Sequence, residues 1–75
     1  MQSNQTLDAR GLNCPLPILR TKKSLSTLEP GETLKVVASD PGSLKDMESF
    51  CNQTGNTLLS SRQAGGDYEF VIRKV

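Results

Sequence analysis

The chain has 75 residues, of which 35% are hydrophobic and 23% charged, with 9 Lys and Arg against 8 Asp and Glu. A chain this short hides only about 60% of its unfolded surface when all of it packs together, so residues 1–75 are expected to form one domain around one core. The balance of apolar and charged residues excludes a membrane-spanning chain and a charge-extended tail, and a net charge of +1 with two Phe, one Tyr and no Trp removes the platform that nucleic acid needs.

Histidine is absent, which excludes Cys/His nucleophile pairs, Ser/His/Asp triads and His-ligated zinc or haem. Cys14 and Cys51 are too few for a structural zinc site and form no Cys-x-x-Cys pair, so neither metal nor cofactor is expected. The N-terminal Met1-Gln2-Ser3-Asn4-Gln5-Thr6 has neither the charged nor the apolar region of a secretion signal. Together these features predict a reducing, cytoplasmic setting in which both cysteines are thiols.

In chain order, Gln5 to Ala9 reads as a short strand, with Leu7 and Ala9 at period two, followed by a loop at Arg10-Gly11-Leu12-Asn13. A helix is predicted from Pro15 to about Leu28: Ile18, Leu25 and Leu28 share a face, and the two prolines fall in the first turn, where a missing N–H does least harm. Glu29-Pro30-Gly31 ends it. Glu32 to Ala38 alternates, with Leu34, Val36 and Ala38 on one side and Thr33 and Lys35 on the other. Asp40-Pro41 predicts a second helix capped by Asp40, with Leu44, Met47 and Cys51 inward and Gly55 as a left-handed stop. Thr57 to Gln63 and Tyr68 to Lys74 read as strands joined around Gly65-Gly66.

The order βαβαββ calls for a right-handed crossover, which makes the first two strands parallel and lays both helices on one face of a mixed four-stranded sheet. The expected fold is therefore α+β, a two-layer α/β sandwich, with the polar Lys35, Arg62 and Glu69 on the uncovered face. Both helix N-termini should open at one edge, the edge that holds Cys14 and Asp40-Pro41.

Gly11-Leu12-Asn13-Cys14-Pro15-Leu16-Pro17 is the segment whose chemistry outruns the needs of folding. With Cys14 at a helix cap, the helix dipole favours its thiolate, although Pro15 and Pro17 delete two N–H donors and leave the sulfur chiefly the amides of Leu16 and Cys14. Modest activation is expected, and the prolines supply rigid presentation instead. A thiolate with no general base beside it is poorly suited to acyl transfer, yet it can accept sulfur from a persulfide and surrender it to another nucleophile. The competing reading is a Cys14 that only starts a helix. Cys51, in a stripe with Leu44 and Met47, reads as core. Asp8 and Arg10 are placed to tune or gate Cys14, with a turn role open for Asp8; Asp40 reads as a helix cap first. Arg20, Lys22 and Lys23 read as a solvated helix face.

The sequence resembles the TusA-like sulfur carriers, also described as SirA-like or YedF-like, whose hallmark is Cys-Pro-x-Pro at the start of the first helix. The resemblance covers almost the whole chain: Thr6-Leu7-Asp8-Ala9, Gly11-Leu12, Cys14-Pro15-Leu16-Pro17, Pro30-Gly31-Glu32, Asp40-Pro41, Phe50-Cys51 and Ile72-Arg73-Lys74. It implies a βαβαββ sandwich and a sulfurtransferase that carries sulfane sulfur as a persulfide on Cys14, with Gly11, Pro15, Pro17, Asp8 and Asp40 in support. It further implies a cysteine desulfurase or rhodanese as donor, a DsrE/TusD-type protein as acceptor, and a carrier acting as a monomer. Leu16 and Asn13 depart from the acidic and basic residues found at these places in tRNA-thiolating members, so sulfur oxidation and cofactor supply stand beside tRNA thiolation as pathways. Two other functions compete: a non-catalytic regulatory or protein-interaction domain, whose binding would survive Cys14→Ser, and an RNA-binding module, against which the near-neutral charge speaks.

Overall fold

The computed structural model describes residues 4–75. Met1, Gln2 and Ser3, part of the N-terminal stretch read above for a secretion signal, lie outside the described residues. The elements are β1 (Gln5–Ala9), α1 (Leu16–Leu25), β2 (Thr33–Ala38), α2 (Ser43–Thr54), β3 (Thr57–Ala64) and β4 (Asp67–Arg73). They form a mixed sheet in the order β1-β2-β4-β3, with β1 parallel to β2 and both other pairings antiparallel. The two-layer α+β architecture is the one the periodicity predicts.

Alternation along β2 and β4 builds the core. Leu34, Val36, Ala38, Phe70 and Ile72 are fully buried on the helix side, where α1 supplies Leu25 and α2 supplies Met47, Phe50 and Cys51. Ile18, Leu28 and Tyr68 pack at the margin. On the other face, Glu69 binds Arg62 at 3.1 Å and Lys35 at 3.7 Å, so the three residues assigned to the uncovered side meet there as one ion cluster. At a wet surface such a cluster contributes little stability.

Several details differ from expectation, each for a local reason. The first helix stops at Leu25 rather than Leu28, because Ser26 and Thr27 turn their hydroxyls back onto the Lys23 and Ser24 carbonyls and the chain tightens into i→i+3 bonds. Lys74 closes that end by donating from Nζ to the Leu25 carbonyl at 2.7 Å, a cation placed where the helix dipole is negative. The second helix begins at Ser43, with Gly42 at the cap position and no side-chain cap, so Asp40 is not its cap. Leu44 is 41% exposed and leaves the inward stripe to Ser43, Met47, Phe50 and Cys51. Thr33, assigned to the outer side of β2, is buried by its pairing with Asn4, whose side chain and backbone bond both its amide and its hydroxyl.

Gly55 ends α2 at φ +81°, as predicted, with its N–H on the Cys51 carbonyl at 2.9 Å.

Candidate functional site

The parallel pairing of β1 with β2 brings their C-terminal ends together, and the two loops that follow are stitched to each other by short polar contacts. Leu12 N–H returns to the Ala9 carbonyl, Gly11 takes φ +80°, and its N–H donates to Ser39 Oγ at 2.9 Å. A Cβ at Gly11 would meet nothing within 4 Å, so the requirement for glycine is the backbone angle and not space. Three residues on, Cys14 N–H donates to Asp40 Oδ2 at 3.1 Å, while Asp40 Oδ1 accepts from Gly42 N–H at 3.1 Å. Asp40 thus holds an Asx turn before α2 with one oxygen and the backbone of Cys14 with the other.

This arrangement corrects the expected helix-capped thiolate. Pro15, joined to Cys14 by a cis peptide bond, occupies the cap position of α1, not Cys14. The Leu16 amide is spent on the Asn13 carbonyl at 2.8 Å, and the Cys14 amide on Asp40, so both N–H groups assigned to the sulfur are engaged elsewhere. Pro17 is buried, and its carbonyl accepts the Thr21 hydroxyl at 2.7 Å; it packs as well as stiffens. Pro15 stays at the surface beside the exposed Cys14.

The sulfur faces α2 instead. Cys14, Pro15 and Ile18 on one side and Asp46, Ser49, Phe50 and Gln53 on the other line an open groove of about 220 Å³ between the two helices. The Asp46 carboxylate across the groove first, then partial desolvation, then the negative charge of Asp40, push the Cys14 thiol above its usual range. The direction is opposite to the one expected of a helix-capped thiolate: two carboxylates act on the sulfur, and the Cys14 and Leu16 amides that would have steadied a thiolate are bonded elsewhere.

Asp8 is not drawn to the thiol. Its carboxylate takes both the Nε and Nη2 donors of Arg10 and the Arg10 amide, and these contacts lower its pKa to about 2; Arg10 also reaches Asp67 at 3.9 Å. Of the residues singled out from the sequence, Gly11, Cys14, Pro15 and Asp40 therefore share one edge, Pro17 lies beneath it, and Asp8 is engaged by its own neighbour. Cys51 is buried, and burial raises its thiol.

Asp46 was missed. The signal was present: positions 46, 49, 50 and 53 form a helical stripe beside the buried one, and the helix that follows Asp40-Pro41 starts at the same edge as Cys14. Among the described residues, no three His, Cys, Asp or Glu side chains converge as metal ligands would, and no helix is long and apolar enough to cross a membrane.

The protein-family model described as Sulfurtransferase TusA matches residues 5–74, so the match spans every element described above. The chain belongs to the TusA family. It is 55% identical over 71 residues to the sulfur carrier protein TusA of Allochromatium vinosum, covering 95% of this chain and 93% of that one. It is 45% identical over 71 residues to a protein of Neisseria meningitidis named as a candidate sulfur carrier, covering 95% and 96%. Among solved structures, the SirA-like protein of Desulfitobacterium hafniense superposes with a TM-score of 0.81 at 28% identity, covering 92% of this chain and 95% of that chain. The TusA resemblance read from Cys-Pro-Leu-Pro and its flanks and the fold it implied are thus both shown.

Proposed function

We propose that the chain works as a single TusA-like domain that accepts sulfane sulfur on Cys14 as a persulfide and relays it to a partner protein. The observation that carries this reading is the exposed Cys14 at the mouth of an interhelical groove, in a chain that belongs to a family of sulfurtransferases. In loading, the Cys14 thiolate attacks the outer sulfur of a donor persulfide. The new Cys14 S–S bond forms as the donor's S–S bond breaks, and the donor cysteine leaves as a thiolate and takes up a proton. Release is the same exchange with Cys14 as leaving group. Neither step changes the total oxidation state, and so neither calls for a cofactor.

The donor would be a cysteine desulfurase or a rhodanese and the acceptor a DsrE/TusD-type protein, in a cytoplasmic relay that serves tRNA thiolation, sulfur oxidation or cofactor supply. Gly11, Pro15, Pro17 and Asp40 support Cys14 by fixing the corner that presents it; Asp8 acts at one remove, by setting the β1 turn with Arg10. The test is intact-mass analysis after incubation with a cysteine desulfurase and cysteine. The parent should gain the mass of one sulfur atom and lose it to a reductant, and Cys14→Ser should gain nothing. Sulfur on a folded Cys14→Ser protein would place the carrier site at another residue, whereas partner binding unaltered by that substitution with no loading in the parent would favour an interaction domain instead.

A further inference from the structure

The groove that holds Cys14 has apolar walls from Pro15, Ile18 and Phe50, while its charge comes from one sign only. Asp46 lines it and Asp40 lies close enough to act on the sulfur; no Lys or Arg is among the residues that line it or among the charges that act on Cys14. Arg10, the cation next to this loop in sequence, is occupied by Asp8 and Asp67. Asp46 stands in the first turn of α2, where a carboxylate is favoured by the helix dipole, and this alone would account for an acid there. It does not account for an acid on the side that faces the thiol, when the amides that would have steadied a thiolate are bonded elsewhere.

We infer that Asp46 is a positioning residue that restrains the unloaded Cys14 sulfur, and that a docking partner releases it by seating a cationic side chain against the Asp46 carboxylate. The inference rests on the reading of Cys14 as the sulfur-bearing residue and adds to it the regulation of that site. Facing a carboxylate, the free thiol keeps its proton and reacts slowly with stray electrophiles and oxidants, a useful property for an exposed cysteine. A partner's Lys or Arg covering Asp46 removes the negative charge where the sulfur must become negative, so the sulfur becomes nucleophilic only inside the complex. The same attraction favours partners with a cation beside their own cysteine.

Small reagents test this without any partner. Iodoacetamide alkylation of Cys14, followed against pH in the full chain, should be faster for Asp46→Asn than for the parent by at least about threefold near neutral pH, and equal to it at high pH where both are thiolate. Two methanethiosulfonates of opposite charge probe the release. The thiolate displaces methanesulfinate from either reagent, and the parent should prefer the trimethylammonium reagent over the sulfonate by at least about threefold more than Asp46→Asn does. Asp46→Glu should restore the slow alkylation and the preference, which a merely structural role would not do. Should Asp46→Asn fail to fold, Asp46→Ser serves in its place. An unshifted pH profile would overturn the restraint, and a shifted profile with an unchanged charge preference would overturn release by a cation. Absence of sulfur loading with both reactivity differences intact would count against the carrier reading alone.

Discussion

The two cysteines mark two regions that hold a thiol in its protonated form by opposite means. At Cys51 the cause is burial among Met47, Phe50 and the sheet: there is no water to solvate a thiolate. At Cys14 the sulfur is exposed, and the main cause is a neighbouring carboxylate on another helix. A shift made by burial is relieved only when the core opens, whereas a shift made by a surface charge is relieved by anything that covers the charge. The first kind suits a residue that packs, and the second a residue that must be quiet in one state and reactive in another.

Exchanging each sulfur for oxygen should separate the two cysteines most strongly. Cys14→Ser should leave thermal unfolding nearly unchanged, since an exposed side chain exchanges one atom for a smaller one without opening a cavity, while sulfur loading disappears. Cys51→Ser should do the reverse, losing about 1–3 kcal/mol through a buried hydroxyl while loading persists, as denaturant unfolding and intact mass would show. Loss of loading in a folded Cys51→Ser protein would give that thiol a part in the chemistry.

A smaller effect separates the two ends of α1. Lys74→Met removes the cation on the Leu25 carbonyl, far from the groove, and should cost about 1 kcal/mol of stability with the Cys14 alkylation profile unmoved. Movement of that profile would mean that the helix as a whole, rather than its local carboxylate, sets the thiol.

The smallest effect concerns Asp8. With its pKa lowered to about 2 by Arg10, the pair stabilises the fold above the ordinary carboxylate range and that contribution is lost as pH falls through about 2. Side-chain NMR should find Asp8 titrating near that value, and Arg10→Ala should return it to the ordinary range without altering Cys14 alkylation. A change at Cys14 would restore the gating role read from the sequence.

What the sequence made legible divides along the same line. Leu34-Val36-Ala38, Phe70-Ile72 and the capping Gly55 declared the sheet, the covered face and a helix end, because each rests on a period or a backbone angle that one residue type favours. Cys14 and its prolines were legible as chemistry for the same local reason. Asp46 was not, nor was the loss of the Leu16 and Cys14 amides to Asn13 and Asp40, since each depends on which side chain a neighbouring element delivers across space. Leu44 was misplaced because hydrophobicity was weighed over the phase that Ser43, Met47 and Phe50 set together. The sign of the Cys14 shift was lost with them.

That Cys14 is the sulfur-bearing residue and Cys51 part of the core can be checked by locating the sulfur. The loaded protein is alkylated, digested with trypsin and resolved into the peptides 11–20 and 46–62, which hold Cys14 and Cys51 respectively. The alkylated persulfide is expected on peptide 11–20, with Cys51 unmodified until the chain is unfolded. Persulfide on peptide 46–62 of the folded protein, with peptide 11–20 carrying only the alkylated thiol, would contradict it.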